Sequence, residues 1–263
     1  MLNHTPTTRC FLKCVESETL PTDAQRNFPR ILRHPRIDSL LEGGMARRYQ
    51  TYQIPKNSGG FRTIHAPSEA VKATMRDMLT GLSSRLIMHD AAHAYIKNRT
   101  TVDAIKKHQN TNYTHFLRLD FHDFFGTCTE AFVKEQLQKL PLFAVQPEED
   151  LDRFISFCSL NGSLPQGTPL SPFLTNAIMI PIDAAISKFV HVHKGCYTRY
   201  ADDILISTTS ASACQHMKRG VLEAIANTPL QLNHEKTRIT SINGKNFNLG
   251  LMLNKDRNIT VGN

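Results

Sequence analysis

Apolar positions along the chain change their period several times, and each change marks a new element. Over residues 68–88 they recur as Val71, Met75, Met78, Leu79, Leu82 and Leu86, the three- and four-residue spacing of one helix face. A long amphipathic helix is predicted there. Upstream, residues 1–50 read as short helical pieces interrupted by Pro6, Pro21, Pro29 and Pro35, since proline lacks the N–H that a helix interior needs. Residues 49–55 and 61–64 read as two strands joined through Lys56-Asn57-Ser58-Gly59-Gly60, a run with the composition of a turn. Phe116-Leu117-Arg118-Leu119-Asp120-Phe121 reads as a strand ending on an acid.

Helices are predicted over 130–140 and 148–158, then a loop over 163–172 with three prolines. An apolar helix follows from near Phe173 to about Val190. Residues 195–200 and 204–207 form a predicted β-hairpin with Asp202 and Asp203 at its tip. A helix over 212–227 and a last pair of strands, near 236–241 and 246–253, complete the pattern. No stretch has the composition of a linker, so the lobes are expected to pack as one continuous unit.

Composition narrows the class. At 263 residues and 40% hydrophobic, the chain can bury a core and is neither disordered nor fibrous. No run approaches the roughly 18 apolar residues of a membrane span. The opening Met1-Leu2-Asn3-His4-Thr5-Pro6 has neither the basic start nor the apolar core of a signal peptide. A cytoplasmic location is the expectation. The balance of 31 Lys+Arg over 23 Asp+Glu, a net +8, is compatible with an anionic partner, but net charge speaks more to solubility and non-specific binding. Of six cysteines only Cys10 and Cys14 are close in sequence; with His4 they lack the fourth ligand of a structural zinc site.

The acids carry the chemistry. Asp202 and Asp203 at a hairpin tip, and Asp120 at the end of another apolar strand, offer hard oxygen ligands of the kind Mg²⁺ prefers. Two such ions activate an attacking hydroxyl and stabilise a leaving pyrophosphate. The plainer reading of an isolated Asp-Asp is a polar turn.

The neighbours, taken in order, resemble reverse transcriptases along nearly the whole chain. Ile54-Pro55-Lys56 through Arg62-Thr63-Ile64 and Pro67 resembles their fingers hairpin, and Leu119-Asp120-Phe121-His122-Asp123-Phe124-Phe125 the segment with their first catalytic Asp. Leu164-Pro165-Gln166-Gly167-Thr168-Pro169-Leu170-Ser171-Pro172 resembles their template- and nucleotide-contacting loop, and Tyr200-Ala201-Asp202-Asp203 their Tyr-x-Asp-Asp box. Asn233-His234-Glu235-Lys236-Thr237 resembles their later lysine motif, and Leu249-Gly250-Leu251 the hairpin that grips the primer.

The resemblance implies an α+β right-hand polymerase fold, with fingers and an antiparallel palm sheet. Residues 1–115 would be fingers and 116–263 palm with inserted helices, ending at the primer grip. The thumb is expected to be absent or severely truncated. The implied activity is RNA-directed DNA synthesis with two Mg²⁺ ions (Mn²⁺ a possible substitute). Asp120 and Asp202, with Asp203 less directly, and the Phe121 carbonyl would hold the metals. Lys56 and Arg62 would clamp phosphates, with Asp123, Gln166 and Gly167 also at the nucleotide. Phe125 would bar a ribose 2′-hydroxyl or else pack in the core. Lys236 would protonate pyrophosphate or else be a surface lysine. Tyr200, Leu249 and Gly250 would meet primer and template.

Gln-Gly-x-Pro-x-Ser-Pro, and Tyr-Thr-Arg running into Tyr-Ala-Asp-Asp, most resemble the bacterial retron, group II intron and defence-associated enzymes. The partners implied are an RNA template, with a dedicated non-coding RNA as a candidate, the DNA product, dNTPs, and a protein partner or oligomer in the thumb's place. No membrane partner is expected. The alternatives are a non-catalytic RNA-binding scaffold and an RNA-directed RNA polymerase. His191 and His193, either side of one valine, are expected to share a strand face, and Lys97, Arg99, Lys106 and Lys107 to be candidates for a template path or a solvated face.

Overall fold

The computed structural model describes residues 28–56, 59–244 and 249–261. The Cys10, Cys14 and His4 expectation lies outside them. In chain order the elements are α1 (Phe28–Leu32), α2 (Ile37–Leu41), β1 (Tyr49–Pro55), β2 (Phe61–Pro67), α3 (Glu69–Ser83), α4 (Thr101–Lys106) and β3 (His115–Asp120). Then come α5 (Phe124–Thr127), α6 (Glu130–Gln138), α7 (Pro141–Ala144), α8 (Glu148–Cys158), α9 (Ser171–Ile178), α10 (Ile180–Val192), β4 (Cys196–Tyr200) and β5 (Asp203–Thr208). Last are α11 (Ala211–Ile225), β6 (Arg238–Ser241), β7 (Leu251–Leu253) and β8 (Ile259–Val261).

Two compact units form, each from separate chain segments. Among the described residues, one holds 88–124 and 180–261, the other 28–87 and 125–179. These units draw on other segments than the expected 1–115 and 116–263. Strand β3 pairs with β5, which draws 88–124 into the unit that carries the acids.

The acid-bearing unit is built on an antiparallel sheet of order β4-β5-β3-β6. The register pairs Leu117 with Ile206 and Leu119 with Ile204. These four residues are fully buried, and with period-2 alternation they share one face. Helices α10 and α11 pack against the sheet. The opposite face carries Phe116, Arg118 and Asp120 on β3, with Leu205 and Asp203 across from them. Its apolar end is covered by Ile105 of α4 and Leu253 of β7. Its other end is left to the acids.

The second unit pairs β1 with β2 from Tyr49↔Pro67 to Pro55↔Phe61, a longer return strand than predicted. Helix α3 buries Val71, Met75, Met78 and Leu82, the face its periodicity gives. Phe28, Phe143 and Phe154 form an aromatic core, Phe28 meeting Phe143 edge-on at 5.1 Å.

Three elements differ from expectation for identifiable reasons. Helix α3 stops at Ser83 rather than near 88. The Ser83 and Ser84 hydroxyls donate to the Thr80 and Gly81 carbonyls, and such local bonds compete with a continuing helix. The apolar helix expected from Phe173 to Val190 is two helices broken at Met179. Pro181 lacks an N–H and its ring crowds the carbonyl four residues back. The last two predicted strands do not pair with each other. Strand β6 adds to β3, and β7 pairs with β8, a strand the pattern had not revealed. His191 and His193 are likewise not on a strand: α10 runs through Val192, and the His193 ring packs tilted against Phe189 and edge-on to His216.

Candidate active site

Strands β3 and β5 end together, and their last pair is Asp120 opposite Asp203. Ala201 and Asp202 form the turn between β4 and β5. The Phe121 N–H donates to the Asp202 carbonyl at 3.1 Å, and the Asn233 N–H to the Asp120 carbonyl at 2.7 Å. The sheet and these two bonds bring three carboxylates from two distant parts of the chain to one strand end.

Their surroundings differ. Asp120 is buried, and both its oxygens accept from the Lys236 ammonium, at 2.8 and 3.0 Å. Lys236 is held by a turn in which Asn233 Oδ1 accepts from the backbone of Glu235 and Lys236. Asp203 Oδ1 accepts from Nε and Nη2 of Arg118, at 3.1 and 2.9 Å. Asp202 forms no salt bridge among the described residues. Burial pushes its carboxyl above the ordinary value, the charges of Asp120 and Asp203 push the same way, and its own backbone N–H and Lys236 act against them.

This donor set fits a divalent cation. Among the described residues no three His, Cys, Asp or Glu side chains converge on one ion position. Asp120 and Asp202 together match the one or two carboxylates that Mg²⁺ takes when water and phosphate complete its shell. Asp203, expected beside them, is already engaged by Arg118. A cation at Asp202 would relieve the like-charge repulsion there.

Around the acids, Phe121 is buried and stacks on Phe124 with ring centres 5.5 Å apart. Of the two adjacent rings Phe124 is therefore the core one, and Phe125 is half-buried. Asp123 is exposed and takes a left-handed φ of 40°. Tyr200, half-buried, pairs with Asp203 across the hairpin. Leu249 and Gly250, both left-handed, lead into β7.

In the second unit, Lys56 and Arg62 are exposed on the β1–β2 hairpin and form no ion pair among the described residues. The Gln166 carbonyl accepts from the His65 N–H at 2.7 Å, tying the 163–172 loop to β2. Gly167 makes that approach possible: its φ is 108°, and a Cβ there would lie 2.6 Å from an Ile64 methyl. Arg99 and Lys107 are tied to the backbone of the 89–92 segment. Arg99 donates to the His89 and Ala92 carbonyls, and Lys107 to that of Asp90.

Three residues that the sequence reading did not single out shape the acid site: Arg118, Arg199 and Asp183. The signal was present. A charged side chain in the middle of an otherwise apolar strand or helix is almost never buried unless paired.

Residues 54–258 match the family model described as reverse transcriptase (RNA-dependent DNA polymerase). The Retron Ec83 reverse transcriptase of Escherichia coli is 31% identical over 238 residues, covering 87% of this chain and 76% of that protein. The Retron Mx65 reverse transcriptase of Myxococcus xanthus is 29% identical over 238 residues, covering 85% of this chain and 55% of that one. Among solved structures, apo telomerase from Candida tropicalis superposes with a TM-score of 0.60 at 13% identity, over 81% of this chain and 47% of that one. Telomerase from Candida albicans in complex with a fragment of telomeric RNA gives 0.58, at 13% identity and over 81% and 46% of the two chains. These structures carry the likeness of a polymerase-like fold. This chain spans about half the length of the Mx65 protein and of both telomerases.

Proposed function

The chain belongs to the reverse transcriptase family, and from that premise we propose that it extends a 3′-hydroxyl with dNTPs on an RNA template. The observation that carries the proposal is the meeting of Asp120, Asp202 and Asp203 at one end of an antiparallel sheet, inside the matched segment.

Asp120 and Asp202 are the proposed carboxylate ligands, with the Phe121 carbonyl beside them. Bound there, Mg²⁺ would lower the pKa of the attacking hydroxyl and neutralise charge on the leaving pyrophosphate. Asp203, held by Arg118, orients the turn and contributes charge. Lys236 sits on Asp120, and with a cation held by that carboxylate its ammonium would be available as a proton donor at the leaving group. Lys56 and Arg62 are assigned to the triphosphate, where guanidinium and ammonium match phosphate oxygens. Asp123, Gln166 and Gly167 are assigned to the nucleotide, and Tyr200, Leu249 and Gly250 to primer and template. The half-buried Phe125 ring is the proposed barrier to a 2′-hydroxyl.

Primer extension on matched RNA and DNA templates, with dNTPs or NTPs, tests this reading. Extension of the RNA-templated primer by dNTPs in Mg²⁺ is expected, with Phe125→Ala admitting NTPs. Equal use of NTPs by the parent protein would overturn it. Sequencing the RNA that co-purifies would identify the template, for which a dedicated non-coding RNA is our proposal.

A further inference from the structure

Arg199 immediately precedes the Tyr-Ala-Asp-Asp segment, and both it and Asp183 are fully buried. Taking two charges out of water is costly, and a buried pair is often no more stabilising than the apolar residues that could replace it. The pair therefore calls for a role beyond stability. Its geometry supplies one.

The guanidinium forks onto Asp183, Nε to Oδ1 at 2.9 Å and Nη2 to Oδ2 at 2.7 Å. Its remaining nitrogen, Nη1, donates to the Ala201 carbonyl at 2.9 Å. Asp183 is held in turn by the Tyr197 hydroxyl at 2.6 Å, and lies on α10, which packs against β4. The backbone of Arg199 is fixed as well. Its N–H donates to the Ala91 carbonyl and its own carbonyl accepts from the His93 N–H, at 2.7 and 2.9 Å. At the far end of this chain of contacts, Ala201 has a φ of 57°. A residue with a Cβ is sterically disfavoured in that region, so something must hold it there.

We infer that Arg199, anchored on Asp183, is a positioning residue that pins the Ala201 carbonyl and thereby sets where the Asp202 carboxylate points. The Ala201 carbonyl belongs to the peptide unit that leads into Asp202, so restraining it restrains the plane from which the Asp202 side chain departs. Lysine cannot substitute: a single ammonium cannot face both Asp183 oxygens and the Ala201 carbonyl as a planar fork does. The inference rests on Asp202 being a catalytic carboxylate, but its structural half can be read without activity.

The test uses Arg199→Lys, which keeps the buried charges balanced. It also uses the double variant Arg199→Met with Asp183→Asn, which removes both charges and leaves Tyr197 an acceptor. Each is measured in the full chain by hydrogen–deuterium exchange and by dNTP incorporation on primed RNA. Exchange at residues 200–204 is expected to quicken about tenfold or more, with β3 and α10 unchanged. The kcat should fall about 10- to 100-fold, the scale of a misplaced catalytic group, while KM for dNTP moves by less than about threefold. Folded variants with the parent's exchange in the turn and the parent's kcat would overturn the inference. So would quickened exchange throughout the unit, or failure of both variants to fold, because the pair would then be purely structural. A parent that incorporates nothing would sink the polymerase reading, while the exchange data would still decide the positioning role.

Discussion

Asp120, Asp202 and Asp203 share one chemistry but meet different neighbours, and substitution of those neighbours separates their roles. Lys236 is 54% exposed, so its bridge to Asp120 is worth only about 0.5–1 kcal/mol against solvent screening. Lys236→Ala removes countercharge that a divalent cation can replace. The variant should melt about 1–4 °C below the parent without Mg²⁺, and the gap should narrow in millimolar Mg²⁺. A gap independent of Mg²⁺ in thermal denaturation would mean that ammonium and cation do not share a place.

His108 is the residue whose protonation should dominate acid sensitivity. It is fully buried, bonded through Nδ1 to the Ser207 hydroxyl and through Nε2 to that of Thr198. Burial pushes its pKa down to about 3, and the charges of His93 and Lys107 act in the same direction. The unfolded chain, with an ordinary histidine near 6.5, then binds the proton that the folded chain refuses. Stability from this group is intact above pH 6.5 and is lost as pH falls towards 3. The slope approaches about 1.4 kcal/mol per pH unit. Urea unfolding between pH 7 and 4 should show this slope for the parent and a flatter one for His108→Gln. Equal slopes would exclude His108 as the source.

Among elements, the contact between the 163–172 loop and β2 depends on one residue without a side chain. Gly167→Ala would force a left-handed φ on alanine and bring a Cβ within 3.0 Å of the His65 carbonyl oxygen. A cost of about 1–3 kcal/mol is expected, with a raised KM for dNTP where Gln166 loses its place. Unchanged stability and KM would mean that the loop does not need this approach.

Element identity was largely legible because period and punctuation are local. Val71, Met75, Met78 and Leu82 declared the buried face of α3, and Glu148 to Cys158 fell where the apolar spacing put it. Ends and partners were less legible. The Pro181 break requires weighing one missing N–H against thirteen residues of apolar helix. Strand β8 is three residues long and is a strand only because β7 lies beside it.

For the molecule as a whole, the acids were readable because each sits in a short motif on a strand end. Their supports were not, since Arg118 reaches Asp203 and Lys236 reaches Asp120 across 85 and 116 residues of sequence. The division into two discontinuous units was hidden for the same reason. It follows from the pairing of β3 with β5, which no local pattern encodes.

The claim on which everything else depends is that the carboxylate of Asp202, next to that of Asp120, performs metal-dependent nucleotide addition. The most direct measurement is incorporation of labelled dNTP onto a primer annealed to RNA, titrated with Mg²⁺, for the parent beside Asp202→Asn. The expected result is Mg²⁺-dependent extension by the parent and a rate at least about 10³-fold lower for the variant. Extension by Asp202→Asn at the parent's rate would contradict it.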